Sequence, residues 1–289
     1  MRICSACGGQ FTGREWNCPL CHYRPPLVGG HPALAPEVAE DSEGFEASYF
    51  AQLAEMEAGN FWFRSRNRLI IWALARYFPS ARNFLEIGCG TGFVLSGIRE
   101  AYPALTLSGS EVFSAGLDFA ARRLPDVELF QMDARRIPLR EEFDVIGAFD
   151  VLEHIEDDEL VLAQMHGACR RGGGIILTVP QHPSLWSRAD DYARHVRRYG
   201  ARELREKVGR AGFRVTRLTS FVSLLLPLMY VSRRREQRAG GEFDPAGEFN
   251  IGRLTNSALG NILGLERAAI RSGLSLPAGG SLLMVARRD

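Results

Sequence analysis

The chain has 289 residues, which is enough for one domain of about 200–250 residues and a small additional segment. Hydrophobic residues make up 46% and charged residues 24% of the sequence, as is usual for a globular protein. The net charge of +1 argues against the basic field of most nucleic-acid-binding proteins. No run reaches the ~20 apolar residues of a transmembrane helix, and no secretory signal is recognisable. Because four of the six cysteines form two C-x-x-C pairs typical of metal binding, we expect a reducing, cytoplasmic compartment.

Four of the six cysteines lie within the first 21 residues, as two C-x-x-C pairs. The first pair is Cys4 and Cys7, and the second is Cys18 and Cys21. Two close thiolate pairs can complete a tetrahedral sulfur site, and so short a segment has too small a core to fold without metal. We therefore predict a structural Zn²⁺ ion in residues 1–24, which resemble a zinc ribbon. Iron of the rubredoxin type would use the same ligands.

The rest of the chain divides into a linker and one larger domain. Residues 25–44 are rich in proline, glycine and glutamate, and they are predicted to be a linker. From residue 45 to 289 strands alternate with helices, which predicts a doubly wound α/β domain whose mostly parallel sheet is covered on both faces. Strands are predicted at 83–87, 105–109, 127–130, 143–149, 174–179, 213–220 and 281–286. Helices are predicted at 61–78, 92–102, 114–123, 157–169 and 201–211.

A segment of about 221–279 interrupts the alternation before the last strand. It contains an apolar run, a polar stretch from Gly240 to Gly247 and a helical pattern at 251–272. This composition predicts a helical insert.

The first strand of the domain leads into Gly88-x-Gly90-x-Gly92 and then into a helix. Glycines in this arrangement allow a tight turn and the close approach of a nucleotide. A dinucleotide site would require glycine where this chain has Phe93. The carboxylate of Glu86 at the strand end would repel a pyrophosphate, but it suits a ligand that carries an ammonium and a sulfonium.

A second carboxylate, Glu111, follows the next strand, where it can accept hydrogen bonds from both hydroxyls of a ribose. These residues resemble motif I and the following acid of class I S-adenosylmethionine-dependent methyltransferases. The resemblance continues in order from about residue 61 to 289, through the turn at 131–134, the run from Phe143 to His154, and the glycines at 172–174. It implies that S-adenosylmethionine is contacted by Glu86, Gly88, Cys89, Gly90, Gly92, Glu111, Val112, Asp133, Ala134 and Phe149.

The resemblance also implies a sheet of seven strands in the order 3-2-1-4-5-7-6, with strand 7 antiparallel. Ligands of such sheets bind at the carboxyl ends of the strands, so the acceptor is expected near the ends of strands 4 and 5.

One acceptor-side candidate is the run that contains Asp150, Glu153 and His154. A similar run in ubiquinone-biosynthesis O-methyltransferases is associated with a divalent metal, which makes a metal site a hypothesis here. A Glu-His pair at this place also occurs widely in class I methyltransferases without metal. We therefore favour His154 as a general base or as a wall of the cofactor site.

A second candidate is the segment 195–199, which resembles an acceptor-side lid in small-molecule and quinone methyltransferases. A histidine, two arginines and a tyrosine can together bind an anionic or hydroxylated acceptor. The alternative is an exposed basic segment with solvated arginines. The predicted catalytic residues are therefore His154, His195 and Tyr199.

The apolar run at 221–231 is followed by a cluster of arginines up to Arg238. Apolar residues beside basic ones can lie at a membrane interface, wall a pocket for an apolar acceptor, or form a buried helix in a cap. Peripheral membrane contact through 221–238 is thus a hypothesis.

The leading functional hypothesis is methyl transfer from S-adenosylmethionine to an oxygen, carbon or nitrogen of a small-molecule or lipid-type acceptor. Some bacterial rRNA methyltransferases carry a zinc segment before the same fold, so an RNA methyltransferase is the first alternative. The near-neutral charge and the all-cysteine ligand set make nucleic acid the weaker hypothesis. A third hypothesis is a binding protein that keeps the fold without activity. The oligomeric state is not determined by the sequence.

Overall fold

A computed structural model describes residues 1–13, 15–39, 47–239 and 251–289. The side chains of residues 47, 48 and 236–239 lie outside this description. The predicted stretch from Gly240 to Gly247, the side chain of Arg238 and the end of the predicted linker also fall outside the described residues.

The first described ranges form two small antiparallel strand pairs. In one pair β1 (Arg2–Ile3) lies beside β2 (Gln10–Phe11), and in the other β3 (Leu27–Val28) lies beside β4 (His31–Pro32). The first pair carries the turns that contain the cysteine pairs.

Seven further strands form one sheet. They are β5 (Asn83–Ile87), β6 (Thr106–Glu111), β7 (Glu128–Gln131), β8 (Phe143–Phe149), β9 (Cys169–Pro180), β10 (Arg214–Phe221) and β11 (Ser281–Arg287). Their order is β7-β6-β5-β8-β9-β11-β10, and β11 runs antiparallel to both of its neighbours. The other neighbouring pairs are parallel. Numbered within the sheet, this order is 3-2-1-4-5-7-6, so the predicted fold is confirmed.

Nine helices are described along the chain. They are α1 (Ala47–Met56), α2 (Phe61–Tyr77), α3 (Phe93–Ala101), α4 (Ser114–Arg123), α5 (Asp158–Ala168), α6 (Arg188–Tyr192), α7 (Ala201–Arg210), α8 (Leu226–Ala239) and α9 (Arg253–Arg271). Most predicted bounds agree closely with these, whereas β9 begins earlier than predicted, and α1 and α6 were not predicted. Helices α8 and α9 occupy the predicted insert before β11.

The sheet separates two hydrophobic cores. Phe84 and Leu85 are neighbours on β5, and because successive side chains of a strand point to opposite faces, each is fully buried in a different core. Helices α2, α3, α4 and α9 cover one face, and α5 and α7 cover the other. Strands β8 and β11 are apolar at nearly every position, as expected for strands covered on both sides.

The part of the predicted linker that is described lies against β7. The backbone nitrogen of Leu34 donates to the carbonyl of Gln131, and the Gln131 side chain bonds the backbone nitrogen and carbonyl of Ala35 at 3.0 and 2.9 Å. Ala33 and Ala35 are buried. This contact joins the N-terminal segment to the strand that ends at the predicted adenine-binding turn.

Arg2 joins the cysteine segment to the large domain from the other side. Its guanidinium lies 4.3 Å from the ring centroid of Trp16, and it pairs with Glu128 of β7 at 2.6 Å. Trp16 in turn meets the ring of Phe130 edge-on at 5.3 Å. The cysteine segment is therefore packed onto the domain core.

The carboxyl ends of β5, β6, β7 and β8 all lie at one edge of the sheet because these strands are parallel. The predicted cofactor residues follow these ends. Within the described ranges, no helix is both long and apolar enough to cross a bilayer.

Candidate active site at the carboxyl edge of the sheet

The glycine loop, residues 88–92, connects β5 to α3. All three of its glycines have positive φ, with values of 67°, 50° and 75° in chain order. A Cβ atom on Gly88 would lie 2.5 Å from Cγ2 of Val151, and one on Gly92 would lie 3.1 Å from Cα of Ala120. Larger residues would strain this turn, so the glycines are required by its geometry.

Glu111, at the end of β6, is tied to this loop. Its Oε2 accepts a hydrogen bond from the backbone nitrogen of Gly90 at 3.0 Å, and its Oε1 accepts from Val112 at 2.8 Å and Phe113 at 3.3 Å. Burial raises the pKa of Glu111, and the three backbone donors act in the opposite direction. A carboxylate has about four acceptor sites, so these three bonds leave capacity for a ligand hydroxyl.

Glu86, at the end of β5, is 2% exposed, and its Oε2 has no hydrogen-bond partner among the described residues. Burial raises the pKa of Glu86 well above its usual range, and the nearby guanidinium of Arg66 lowers it. A buried carboxylate without a full set of partners favours a cationic ligand. The residues present thus fit a cofactor with an ammonium and a sulfonium.

Asp133 and Ala134 form the turn after β7, where the adenine contact was predicted. Arg135 forms a bidentate pair with the Asp133 carboxylate, with Nε to Oδ1 at 3.0 Å and Nη2 to Oδ2 at 2.9 Å. Although burial raises the pKa of Asp133, the hydrogen bonds from Arg135 hold it below its ordinary value. Adenine would share this carboxylate with Arg135 or displace its guanidinium.

Two other predicted cofactor residues direct their side chains into the core. The ring of Phe149 stacks on Phe84, with centroids 6.5 Å apart and an interplanar angle of 11°. The Sγ atom of Cys89 lies against Gly109 of β6, and the residue is 5% exposed. These two side chains pack in the core next to the predicted cofactor site.

Sequence reasoning missed the helix that covers the glycine loop. In α1, Phe50 lies against both Gly90 and Gly116. Just beyond this helix, the buried Glu57 accepts a hydrogen bond from the Thr91 hydroxyl at 2.8 Å and pairs with Arg123 at 2.6 Å. The helical spacing of the apolar residues around Phe50 is the only sequence signal for α1.

Arg66, on α2, was also missed. Its guanidinium pairs with the carboxylate of Asp150 and lies 4.6 Å from the ring centroid of Trp62. It acts electrostatically on two buried carboxylates, Glu86 and Glu153. Arg66 thus places one positive charge near both Glu86, a predicted cofactor residue, and Glu153, which lies in the predicted acceptor-side run.

His154 and His195 come together although 41 positions separate them. Their ring centroids are 4.7 Å apart at an interplanar angle of 79°. His154 lies in a short 3₁₀ turn, Leu152–His154, after β8, and His195 follows α6. Burial and the neighbouring His195 lower the pKa of His154 to about 3, so its imidazole is neutral.

Asp190 holds His195 in place. Its Oδ1 lies 2.8 Å from Nδ1 of His195 and also accepts from Nε of Arg198 at 2.8 Å. Although burial raises the pKa of Asp190, the hydrogen bonds from His195 and Arg198 hold it at about 2. The contacts of Asp190 with His195 and Arg198 could not be predicted from the sequence. An aspartate three residues after Ser187 is already explained by the capping box at the start of α6.

Glu153 completes a three-ligand cluster with His154 and His195. The candidate ligand atoms of these three residues lie within 4.8 Å of one another. Glu153 is fully buried, and neither carboxylate oxygen has a hydrogen-bond partner among the described residues. The set that the sequence suggested is therefore corrected: His195 takes the place of Asp150, which pairs with Arg66.

Tyr199 does not join this cluster. It is fully buried, and its hydroxyl donates to Oδ2 of Asp158 at 2.7 Å, where Nζ of Lys207 also binds at 2.6 Å. Burial and the Asp158 carboxylate raise the pKa of Tyr199. The predicted catalytic role for Tyr199 does not fit this position, which ties α5 to α7 instead.

The cysteine cluster consists of Cys4, Cys7, Cys18 and Cys21, and its sulfur atoms all lie within 4.8 Å of one another. The distance from Cys4 Sγ to Cys21 Sγ is 3.7 Å, and that from Cys7 Sγ to Cys18 Sγ is also 3.7 Å. A tetrahedron with metal–sulfur bonds of about 2.3 Å has edges of about 3.8 Å. The four thiols therefore fit a tetrahedral metal ion.

Comparisons with known proteins agree with this geometry. Residues 58–218, more than half of the chain, match a family model described as a methyltransferase domain. A "Probable S-adenosylmethionine-dependent methyltransferase" of Mycolicibacterium smegmatis is 28% identical over 159 residues, which are 54% of this chain and 60% of that protein. A phosphatidylethanolamine N-methyltransferase of Cereibacter sphaeroides is 31% identical over 103 residues, which are 32% of this chain and 48% of that protein.

Among solved structures, phosphoethanolamine N-methyltransferase 2 of Haemonchus contortus in complex with S-adenosylmethionine superposes with a TM-score of 0.55. The identity is 16%, and the match covers 86% of this chain and 58% of that one, so it supports the fold alone. The chain spans about half to three-fifths of the length of the curated relatives named above. With the family match, the sheet order and the glycine loop together, the chain belongs to the class I S-adenosylmethionine-dependent methyltransferases.

Proposed function

We propose that this protein transfers the methyl group of S-adenosylmethionine to an oxygen, nitrogen or carbon atom of a small-molecule or lipid-type acceptor. The observation that carries the proposal is the glycine loop with two buried carboxylates, Glu86 and Glu111, at the carboxyl edge of the sheet. This set matches the needs of a cofactor with a ribose and two cationic groups.

On the cofactor side, Glu111 would accept the ribose hydroxyls, and Glu86 would face the cationic end. Asp133 and Ala134 would contact the adenine. The bound cofactor supplies a methyl group already activated on a sulfonium. The task of the protein is therefore to align the acceptor with that methyl group and to exclude water.

On the acceptor side, the His154–His195 pair follows the ends of β8 and β9, beside the cofactor strands. The hydrogen bond to Asp190 orients the His195 ring. When no ion occupies its other nitrogen, an imidazole held in this way can take a proton from an oxygen or nitrogen acceptor as the new bond forms.

The finer nature of the acceptor is supported by the name of one similar protein. The Cereibacter protein is named as a phosphatidylethanolamine N-methyltransferase, whose substrate is an amine that also carries a phosphate. A small amine that also carries a phosphate is therefore the first acceptor class to assay.

The cysteine cluster is proposed to hold one structural Zn²⁺ ion. The sulfur geometry fits tetrahedral coordination by four thiolates, which leaves no position for substrate.

Peripheral membrane contact is proposed for residues 221–238, whose described side chains, up to residue 235, combine exposed apolar groups with arginines. Leu224, Leu228 and Val231 are 55%, 58% and 46% exposed, and Arg233–Arg235 follow them on α8. Co-sedimentation with vesicles rich in phosphatidylserine tests the contact, with Leu228→Glu as the weakened variant. Equal sedimentation of both proteins would contradict it.

The proposed activity is tested first by calorimetry with S-adenosylmethionine. Glu111→Ala is expected to abolish measurable binding, whereas Glu206→Ala, an exposed glutamate of α7, serves as the matched control. An absence of binding to the wild-type protein would overturn the proposal. A methyl-transfer assay with labelled cofactor, against amine, lipid and RNA fractions, then separates a small acceptor from nucleic acid and from a protein without activity.

A further inference from the structure

The three-ligand cluster contains a fully buried carboxyl group, Glu153, that makes no direct contact with a cation among the described residues. Two aspartates near it each have an arginine: Asp150 pairs with Arg66, and Asp190 pairs with Arg198. Within the described part of the chain, Glu153 has no ion pair and no hydrogen bond to either of its carboxylate oxygens. A buried carboxylate left in this way is costly unless a proton or a cation joins it.

The groups nearest to Glu153 indicate which cation is suitable. His154 and His195 offer imidazole nitrogens within the same 4.8 Å group. A lone ammonium or arginine would gain little from two imidazoles, whereas a transition-metal ion prefers two imidazoles with one carboxylate.

The hydrogen bond to Asp190 adds a second feature of metal sites. Because Nδ1 of His195 is 2.8 Å from the Asp190 carboxylate, Nε2 is the nitrogen that would bind the ion. Carboxylates that bond the distal nitrogen of a histidine ligand fix its tautomer and raise its basicity. Asp190 already bonds the Nδ1 nitrogen of His195 without a bound metal ion.

The size of the cluster also suits an ion. If every pair of ligand atoms is within 4.8 Å, an ion at the centre is at most about 2.8 Å from each. Filled sites have distances of about 2.0–2.2 Å to nitrogen and oxygen. Each ligand atom would therefore have to move by less than about 1 Å to reach bonding distance from the ion.

We propose that Glu153, His154 and His195 bind one divalent transition-metal ion, with Asp190 as the positioning residue for His195. Three protein ligands leave coordination positions open. An acceptor that carries an oxygen donor, such as a hydroxyl or a phosphate, would occupy one of them. This role toward the acceptor rests on the proposed methyltransferase function, whereas the binding of the ion does not.

The test uses Mn²⁺, which thiolate sites bind poorly, so that the cysteine cluster stays silent. The full-length protein, with the metal content of its cysteine cluster measured, is titrated with Mn²⁺ and followed by loss of the free-ion electron paramagnetic resonance signal. The expected result is one bound Mn²⁺ per chain. Glu153→Gln and His195→Ala are expected to weaken binding at least about tenfold, and Asp190→Asn about tenfold as well.

His166→Ala is the matched control, because His166 lies on α5 against Phe213, with no ligand atom in the cluster. It should bind Mn²⁺ like the wild type. Circular dichroism confirms that each variant is folded. A wild type that binds no Mn²⁺, or a Glu153→Gln variant that binds it equally well, overturns the proposal.

Calorimetry with S-adenosylmethionine on the same samples separates this inference from the proposed function. Cofactor binding without Mn²⁺ binding removes the metal site and leaves the methyltransferase proposal standing. Mn²⁺ binding without cofactor binding does the reverse. If Mn²⁺ does not bind and an amine acceptor does, Glu153 is a site for the substrate cation, and the metal proposal falls.

Discussion

The cysteine cluster and the three-ligand cluster differ in how the chain builds them. The four cysteines lie within 18 consecutive positions, and only tight turns are needed to bring their sulfur atoms together. The three-ligand cluster draws Glu153 and His154 from the end of β8 and His195 from beyond α6. Its ligands meet because the sheet and its helices are already folded.

The surroundings of the two clusters differ in the same sense. Around the cysteines the core consists of little more than Cys4, Phe11 and Cys18, with Tyr23 beside them. Around Glu153 the large core and the paired residues Asp190 and Arg198 supply the support. In the first region the fold is expected to depend on the proposed metal ion, whereas in the second the fold itself sets the positions of the three candidate ligands.

The largest expected effect comes from removing one ligand of the cysteine cluster. Cys18→Ser should release the ion and unfold residues 1–24, since metal binding in such segments is worth about 10 kcal/mol or more. The large domain should also lose stability, because Arg2 and Trp16 pack on β7. Metal content, proteolysis of the N-terminal segment and thermal melting measure these changes.

His22→Ala is the control for this prediction, because His22 is adjacent to Cys21 but lies outside the four-sulfur group. It should keep the metal and the melting temperature. If the N-terminal segment of Cys18→Ser stayed resistant to proteolysis, the prediction would be contradicted, since the fold of this segment would then not depend on the ion.

A smaller but substantial effect is expected for Asp190→Asn. This change removes a buried partner of Arg198 and of His195, whose loss should lower the free energy of unfolding by about 3 kcal/mol. Denaturant unfolding measures the loss. Asp191→Asn, at the neighbouring exposed position, is the control and should change stability by less than about 1 kcal/mol. Equal effects of the two changes would contradict the buried role of Asp190.

Glu153→Gln is expected to stabilise the protein, whereas Cys18→Ser and Asp190→Asn are expected to destabilise it. Without metal, removal of the uncompensated carboxylate should raise the free energy of unfolding by about 1–2 kcal/mol. With saturating Mn²⁺ the wild type should regain this difference, because the ion binds only its folded state. Unfolding curves at both metal concentrations give the result. A destabilised Glu153→Gln protein in the absence of metal would show that Glu153 has a partner of another kind.

The smallest effect is expected for Tyr199→Phe. Loss of the hydrogen bond to Asp158 should cost about 1–2 kcal/mol of stability. Affinities for Mn²⁺ and S-adenosylmethionine should not change, because Tyr199 lies outside both sites. Titrations with Mn²⁺ and S-adenosylmethionine measure these affinities. Weaker binding of either ligand would show that Tyr199 contributes to the active site.

Much of the fold follows from local pattern. The β8 run Phe143–Phe149 is apolar except for Asp144, and the glycines of the loop after β5 mark a tight turn before a helix, so these elements could be predicted. The position of helix α1 could not be predicted, because it is set by the contact of Phe50 with Gly90 and Gly116. The helical spacing of the apolar residues around Phe50 indicates a helix, but it does not indicate this long-range contact.

The cofactor loop, the sheet order and the four cysteines could be predicted from the sequence, because each depends on residues that are close in the chain or on a family pattern. The arrangement of the proposed acceptor side depends on tertiary contacts. The tertiary structure separated Tyr199 from His195, although four positions apart, and it paired Asp150 with Arg66. It also brought His195 to Glu153, since long-range packing, and not spacing along the chain, sets which side chains meet.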